Sequence, residues 1–212
     1  MKSYLVYGTV LTAFLAGLCV AAAPTPAIVQ RAGHWTLDVR YEQPQQIVLP
    51  WGPQGEQRFW YTILTVTNRT GMDVEFYPRC DLMTDTLQVV PAGRGVPPVV
   101  FQMIQERHAS RYPLLESLQN VPNRVLEGED NARDIAIIWQ DFDPQAAGFQ
   151  VFVGGLSNET AMIPHPVETD ADGRPVPIFL RKTLELKYAL RGDPSLRSSV
   201  EVVYKGQGWV MR

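Results

Sequence analysis

Two short acidic runs hold the residue types best suited to chemistry. The first is Glu168-Thr169-Asp170-Ala171-Asp172-Gly173. Oxygen ligands at alternate positions, closed by a Gly, match the first half of a calcium loop. The second half departs from that pattern. Phe179 stands where a bidentate Glu would complete the cage, and Pro175 and Pro177 stiffen the stretch. The competing reading is an Asp-Gly hairpin turn between Val167 and Val176. Glu168, Asp170 and Asp172 therefore stand as candidate calcium ligands. Calcium is the one metal or cofactor the residues suggest, and the missing ligand favours the turn. The second run, Glu127, Glu129, Asp130 and Asp134 within LEGEDNARD, could bind a cation or a basic partner. Its plainer reading is a solvated loop between strands, with Arg133 offsetting part of the charge. Asp141 and Asp143 form a carboxylate pair of the kind that does acid–base work when its pKa values are split. Pro144 follows them, and a polar turn is the simpler expectation.

Nucleophilic and metal chemistry find little else. His34, His108 and His165 lie outside metal-ligand spacing. His108 is expected near a helix C-terminus, where the dipole favours a cation. Gly155-Leu156-Ser157-Asn158 lacks the closing Gly of a nucleophile elbow. Gly93-Arg94-Gly95 is followed by Val and two Pro and is no phosphate loop. Arg191-Gly192-Asp193 spells an adhesion tripeptide but reads as a turn into Pro194. Asn68-Arg69-Thr70 and Asn158-Glu159-Thr160 match the glycosylation sequon. Trp51 sits among Pro50, Gly52 and Pro53, so it belongs to a loop. A loop Trp can stack on a sugar ring or anchor a partner, or plug the end of the fold.

Whatever these residues do, the rest of the chain must place them. Of 212 residues 45% are hydrophobic and 19% charged, with a net charge of −3. That composition argues against intrinsic disorder, and with no basic excess a nucleic-acid partner is disfavoured. The opening MKSYLVYGTVLTAFLAGLCVAAA has a single Lys, an apolar stretch from Leu5 to Val20 and a small-residue exit. This is the order of a secretory signal peptide, with cleavage after Ala22. Leu18 before Cys19 disfavours a lipoprotein. About 190 residues then remain with Cys80 as the sole thiol, read as buried and inert. No later stretch is apolar and long enough to anchor the exported chain in a membrane.

Residues 23–33 read as an irregular leader and 34–212 as one domain. His34–Glu42 alternates, with Trp35, Leu37, Val39 and Tyr41 on one side. Arg58–Asn68 is aromatic and β-branched almost throughout, which predicts a central strand covered on both faces. Further strands are expected at 46–49, 74–78, 82–90, 135–139, 149–153, 178–190, 200–204 and 209–211. Pro97 and Pro98 precede an apolar stripe at Val100, Met103 and Ile104, which predicts a helix. Residues 97–119 read as a helical insertion packed on a sheet edge. About ten short strands separated by Gly, Pro and Asn turns indicate an all-β sandwich.

The run YTILTVTNRTGMDVEF followed by CDLMTD resembles the telokin-like, immunoglobulin-like domains of exported bacterial proteins. The segments GEDNARDIAIIW, FVGGLSNE, LRKTLELKYALRGD and WVMR are similar to blocks of uncharacterised secreted proteins. The likeness spans roughly residues 35–212. It implies an immunoglobulin-like antiparallel β-sandwich and carries no catalytic residue. The expectation is an exported, non-catalytic structural or protein-interaction module of the periplasm or envelope, with a protein partner. A carbohydrate- or calcium-dependent binding module using Trp51 and the 168–172 loop is the alternative, and an unrecognised hydrolase the third.

Overall fold

The computed structural model of the protein describes residues 26–29, 33–50 and 55–212. The expected signal peptide, Cys19 and Trp51 lie outside them. The chain is mostly β, with antiparallel sheets packed face to face.

The organising strand is β4 (Glu56–Asn68), where every residue from Phe59 to Asn68 is buried. A strand points successive side chains to opposite faces, so both faces must be covered. Toward one side Trp60, Leu64 and Val66 enter the core between the sheets. Toward the other, Phe59, Tyr61 and Ile63 meet a separate apolar cluster. Strands β2 (Asp38–Tyr41) and β3 (Gln45–Pro50) pair with one side of β4, and β10 (Gly128–Gln140) with the other. The two-residue β8 (Glu116–Ser117) joins β10 in parallel. This is the smaller, five-stranded sheet.

The larger sheet runs β1 (Ala27–Ile28), β12 (Thr160–Thr169), β13 (Pro175–Arg191), β11 (Gly148–Gly154), β6 (Arg79–Thr84) and β7 (Val89–Pro91). Strand β14 (Glu201–Met211) pairs with β13 alone among the described residues. A two-stranded ribbon, β5 (Val74–Glu75) with β9 (Arg124–Val125), completes the strands. Leu82, Phe149, Val151, Val153, Leu184 and Leu186 of the larger sheet interdigitate with Trp60, Leu64, Ile135, Ile137 and Trp139 of the smaller. Each such side chain contributes about 1.5–3 kcal/mol on burial.

Helix α1 (Pro98–His108) starts behind Pro97, where a missing N–H costs nothing. Val100 and Ile104 are fully buried against Phe59, Tyr61, Ile63, Ala136 and Ile138. The helix thus covers the outer face of the smaller sheet, not an edge as the sequence suggested. Residues 114–118 form no further helical turn. Leu115 is buried beneath the helix, and β8 follows directly.

Three more departures bear on the candidate sites. The acidic run 127–134, read as a loop, lies in β10 with a bulge between Gly128 and Arg133. Strand β12 forms across Pro164 and Pro166, where no strand was expected. Within the stretch read as an irregular leader, Ala27–Ile28 is a strand paired with β12.

Candidate functional site

The hairpin of β12 and β13 runs beyond the smaller sheet. None of the residues 162–180 is buried. Met162, Val167 and Phe179 are exposed, and Ile28 of β1 is exposed on the face opposite Met162. Met162 pairs across the hairpin with Phe179, and Ala161 with Leu180. Exposed apolar side chains on an uncovered strand pair are the kind of surface that marks interaction sites. A cross-strand proline pair keeps the ladder of the arm intact. The Lys182 N–H bonds the Glu159 carbonyl, and alternation from there turns the nitrogens of Pro164 and Pro177 outward. No ladder bond is lost to either proline.

The candidate calcium residues form the tip of this arm. The Asp170 Oδ1 accepts the backbone N–H of Asp172 at 3.0 Å and of Arg174 at 2.8 Å. The Gly173 N–H donates to the Asp170 carbonyl at 3.0 Å, with Gly173 at φ +76°. Asp172 pairs with Arg174 at 3.2 Å. The Glu168 N–H donates to His165 Nδ1 at 2.7 Å. The arrangement is that of an Asp-Gly hairpin turn, and among the described residues no three His, Cys, Asp or Glu groups come together as a metal site.

The second acidic run has a different fate. Glu129 and Asp134 line a polar groove on the outer face of the smaller sheet, on the half that α1 leaves open. It consists of two adjoining hollows of about 500 and 440 Å³. Thr65 and Thr67 of β4 form its floor. Arg69 bridges Asp38 of β2 and Glu129 of β10 at one end. At the other, Glu42 receives both the Arg111 guanidinium and the Tyr112 hydroxyl. Asp134 accepts the Thr65 hydroxyl at 2.6 Å, and Asp130 is exposed on the bulge beside it. The residues lining the two hollows include no histidine, cysteine or serine. Trp51, the candidate sugar or partner contact, falls outside the described residues.

The remaining motif residues are structural. Asp141 accepts the Trp60 indole N–H at 2.7 Å, the Phe142 N–H at 3.1 Å and Arg197 at 3.1 Å. Arg197 lies over the Trp60 and Phe142 rings, 5.2 and 4.5 Å from their centroids. This clamp seats the short 3₁₀ turn 194–199 on the end of the core. Nothing in the sequence of QDFDPQ signalled it, because the partners lie 56 and 81 residues away. Asp143 holds the Gln145 N–H, and its carboxyl is lowered chiefly by the Thr86 hydroxyl.

His108 differs from expectation. It packs beneath the end of α1, its Nε2 3.0 Å from the Tyr61 hydroxyl. Burial, then the Arg107 charge, pushes its pKa below the usual value, so the site favours the neutral ring over the cation. Cys80 is buried, as read, and desolvation pushes its thiol pKa far up. Both sequon asparagines have their amides engaged. Asn68 is fully buried and donates to the Met72 and Val125 carbonyls. Asn158 donates to the Gly33 carbonyl and accepts the Trp35 N–H. The Asp193 side chain caps the 3₁₀ turn through Ser195, and that hydrogen bond lowers its pKa.

No protein-family model, no curated protein and no solved structure matches the chain.

Proposed function

We propose that the protein is an exported, non-catalytic interaction module of the cell envelope, built on an immunoglobulin-type sandwich. It grips a protein partner with the β12–β13 arm. The observation that carries the reading is the arm itself, a strand pair with exposed Met162, Val167 and Phe179. Exposed apolar side chains on a strand pair are costly unless something covers them. The strand order supports the immunoglobulin part. The support is the pairing of β4 with β10 in one sheet and the order β7-β6-β11-β13 in the other, beside a parallel β8–β10 pairing that such sandwiches lack. Export rests on the N-terminal segment, and the resemblance to telokin-like exported domains points the same way.

The test is retention of envelope proteins by the immobilised wild-type chain and by a Met162→Asp/Phe179→Asp variant. The expected result is a partner held by the first and lost by the second. Identical retention by both, or none by either, would count against the arm.

The groove supports a second reading as a polar-ligand module. Its threonine floor and charged walls present donors and acceptors to a hydroxyl-rich chain such as a glycan. The discriminating variant is Asp134→Ala, which leaves the arm untouched.

A further inference from the structure

The sheet edges are treated unequally. In the larger sheet β1 has two residues and β7 three, ending in Pro91. In the smaller, β8 has two residues, and the β2–β3 edge is interrupted before Gln45 by Pro44 and stops at Pro50. Short strands and prolines are the usual means of keeping edges from pairing with another chain. Strand β14 has neither, and its one blunting device is a bulge at Lys205. It is eleven residues long, contains no proline and pairs only with β13 among the described residues.

Its free side can be read residue by residue. Arg212 and Arg181 exchange both backbone bonds, so Val210, Gly208 and Gly206 also bond toward β13. Trp209 and Gln207 then point their N–H and C=O groups away from it. Lys205 is the extra residue of a bulge, because Gly206 pairs with Lys187 and Tyr204 with Tyr188. Past the bulge Val202 faces outward, since its carbonyl accepts the Gln43 side chain from outside. Tyr204, two residues on, faces outward with it.

We propose that this edge joins two copies of the chain, antiparallel, about a two-fold axis at Gln207. In that register Gln207 meets its own copy, and Tyr204 meets Trp209 of the second copy. Each pair presents backbone groups that point at one another. The faces agree as well. Tyr204, Gln207 and Trp209 lie opposite Tyr188, Leu186 and Leu184, so all three share one side of the sheet. Val203 falls beside the second copy's Val210 on the other side. At the ends Glu201 falls opposite the second copy's Arg212, whose guanidinium lies over Phe152 and 3.7 Å from Asp81 in the single chain and swings out to make the opposite-charge pair. Gly206 and Gly208 meet across the axis, and both have open space around the α-carbon. Aromatic, β-branched and opposite-charge cross-strand pairs are the combinations that stabilise antiparallel ladders. A two-fold interface needs self-complementarity of this kind. Gln43 holds Val202 at either end, so the ladder proper runs from Tyr204 to Trp209.

This inference stands on a different strand edge from the arm, and either can fail alone. The experiment is sedimentation equilibrium of the full chain, as purified from producing cells, over a concentration series. The expected result is a monomer–dimer equilibrium. Glu201→Arg places Arg against Arg and is expected to weaken the dimer about tenfold. Gln207→Cys tests the axis directly. Hydrogen-bonded antiparallel partners lie about 5.5 Å apart at Cα, within disulfide reach. Mild oxidation should link Q207C into a covalent dimer and leave K187C, one strand further in, unlinked. Cys80 is buried and does not compete. A chain that stays monomeric throughout, or a dimer whose Q207C variant stays unlinked, overturns the proposal.

Discussion

Strand β4 and the β12–β13 arm are made of much the same material. One reads RFWYTILTVTN, the other TAMIPHPV and PVPIFL. Both are apolar and poor in charge. Yet residues 59–68 are all buried, while none of 162–180 is. The difference lies in what arrives on either side. β4 receives a second sheet on one face and α1 on the other. The arm receives the two residues of β1 and nothing more among the described residues. Strand pattern and burial are therefore separate properties, and the second is decided by partners distant in sequence.

The comparison can be tested from both ends. Trp60→Ala opens a cavity in the doubly covered region and should destabilise the fold by about 3–5 kcal/mol in urea titration. A loss below about 1 kcal/mol would mean that β4 is not the keystone described. Asp141→Ala keeps the core volume but strands the Trp60 indole and Arg197. A cost of about 1–3 kcal/mol is expected, with the same measurement as the check.

The proton-linked effect should be smaller. His108 has a folded pKa below its unfolded value near 6.5. The unfolded chain then binds more protons as the pH falls through 6.5. Stability is fully present above that value and declines below it. His108→Gln should flatten that limb of the pH–stability curve, and an unchanged slope would assign the decline elsewhere. Phe179→Asp on the arm is expected to move stability least, within about 0.5 kcal/mol, while abolishing partner retention. A large stability loss there would show the arm to be part of the core and remove the contrast.

How much of this was legible in the sequence varies by element, for physical reasons. β4 was readable because an unbroken aromatic and β-branched run has few other stable homes. The alternation of Leu37, Val39 and Tyr41 was readable because one face meets the core and the other meets the groove. The first half of β10 was not. GEDNARD has little strand propensity, and it extends because Arg133 and Asp134 pair with Val66 and Thr65 of a neighbour already in place. β12 was hidden by its prolines, which the ladder tolerates only because their nitrogens face away from β13. The hairpin reading of 168–173 came from local turn chemistry, which is why it was available. The groove was not available, since Arg40, Thr65 and Asp134 become neighbours only through the register of three strands.

Strand β13 has a consequence for timing. It pairs with β11, β12 and β14, and no other strand in the larger sheet has as many partners. It also follows β6, β11 and β12 in the chain. Until residues 175–191 exist, β11 lacks its inner neighbour and β12 has little to pair with. The contacts that tie Trp35 and Thr36 to Ser157 and Asn158 span more than 120 residues and wait as well. Folding from such distant contacts is slow. The nascent larger sheet should therefore stay open and threadable until β13 has emerged, and close only then.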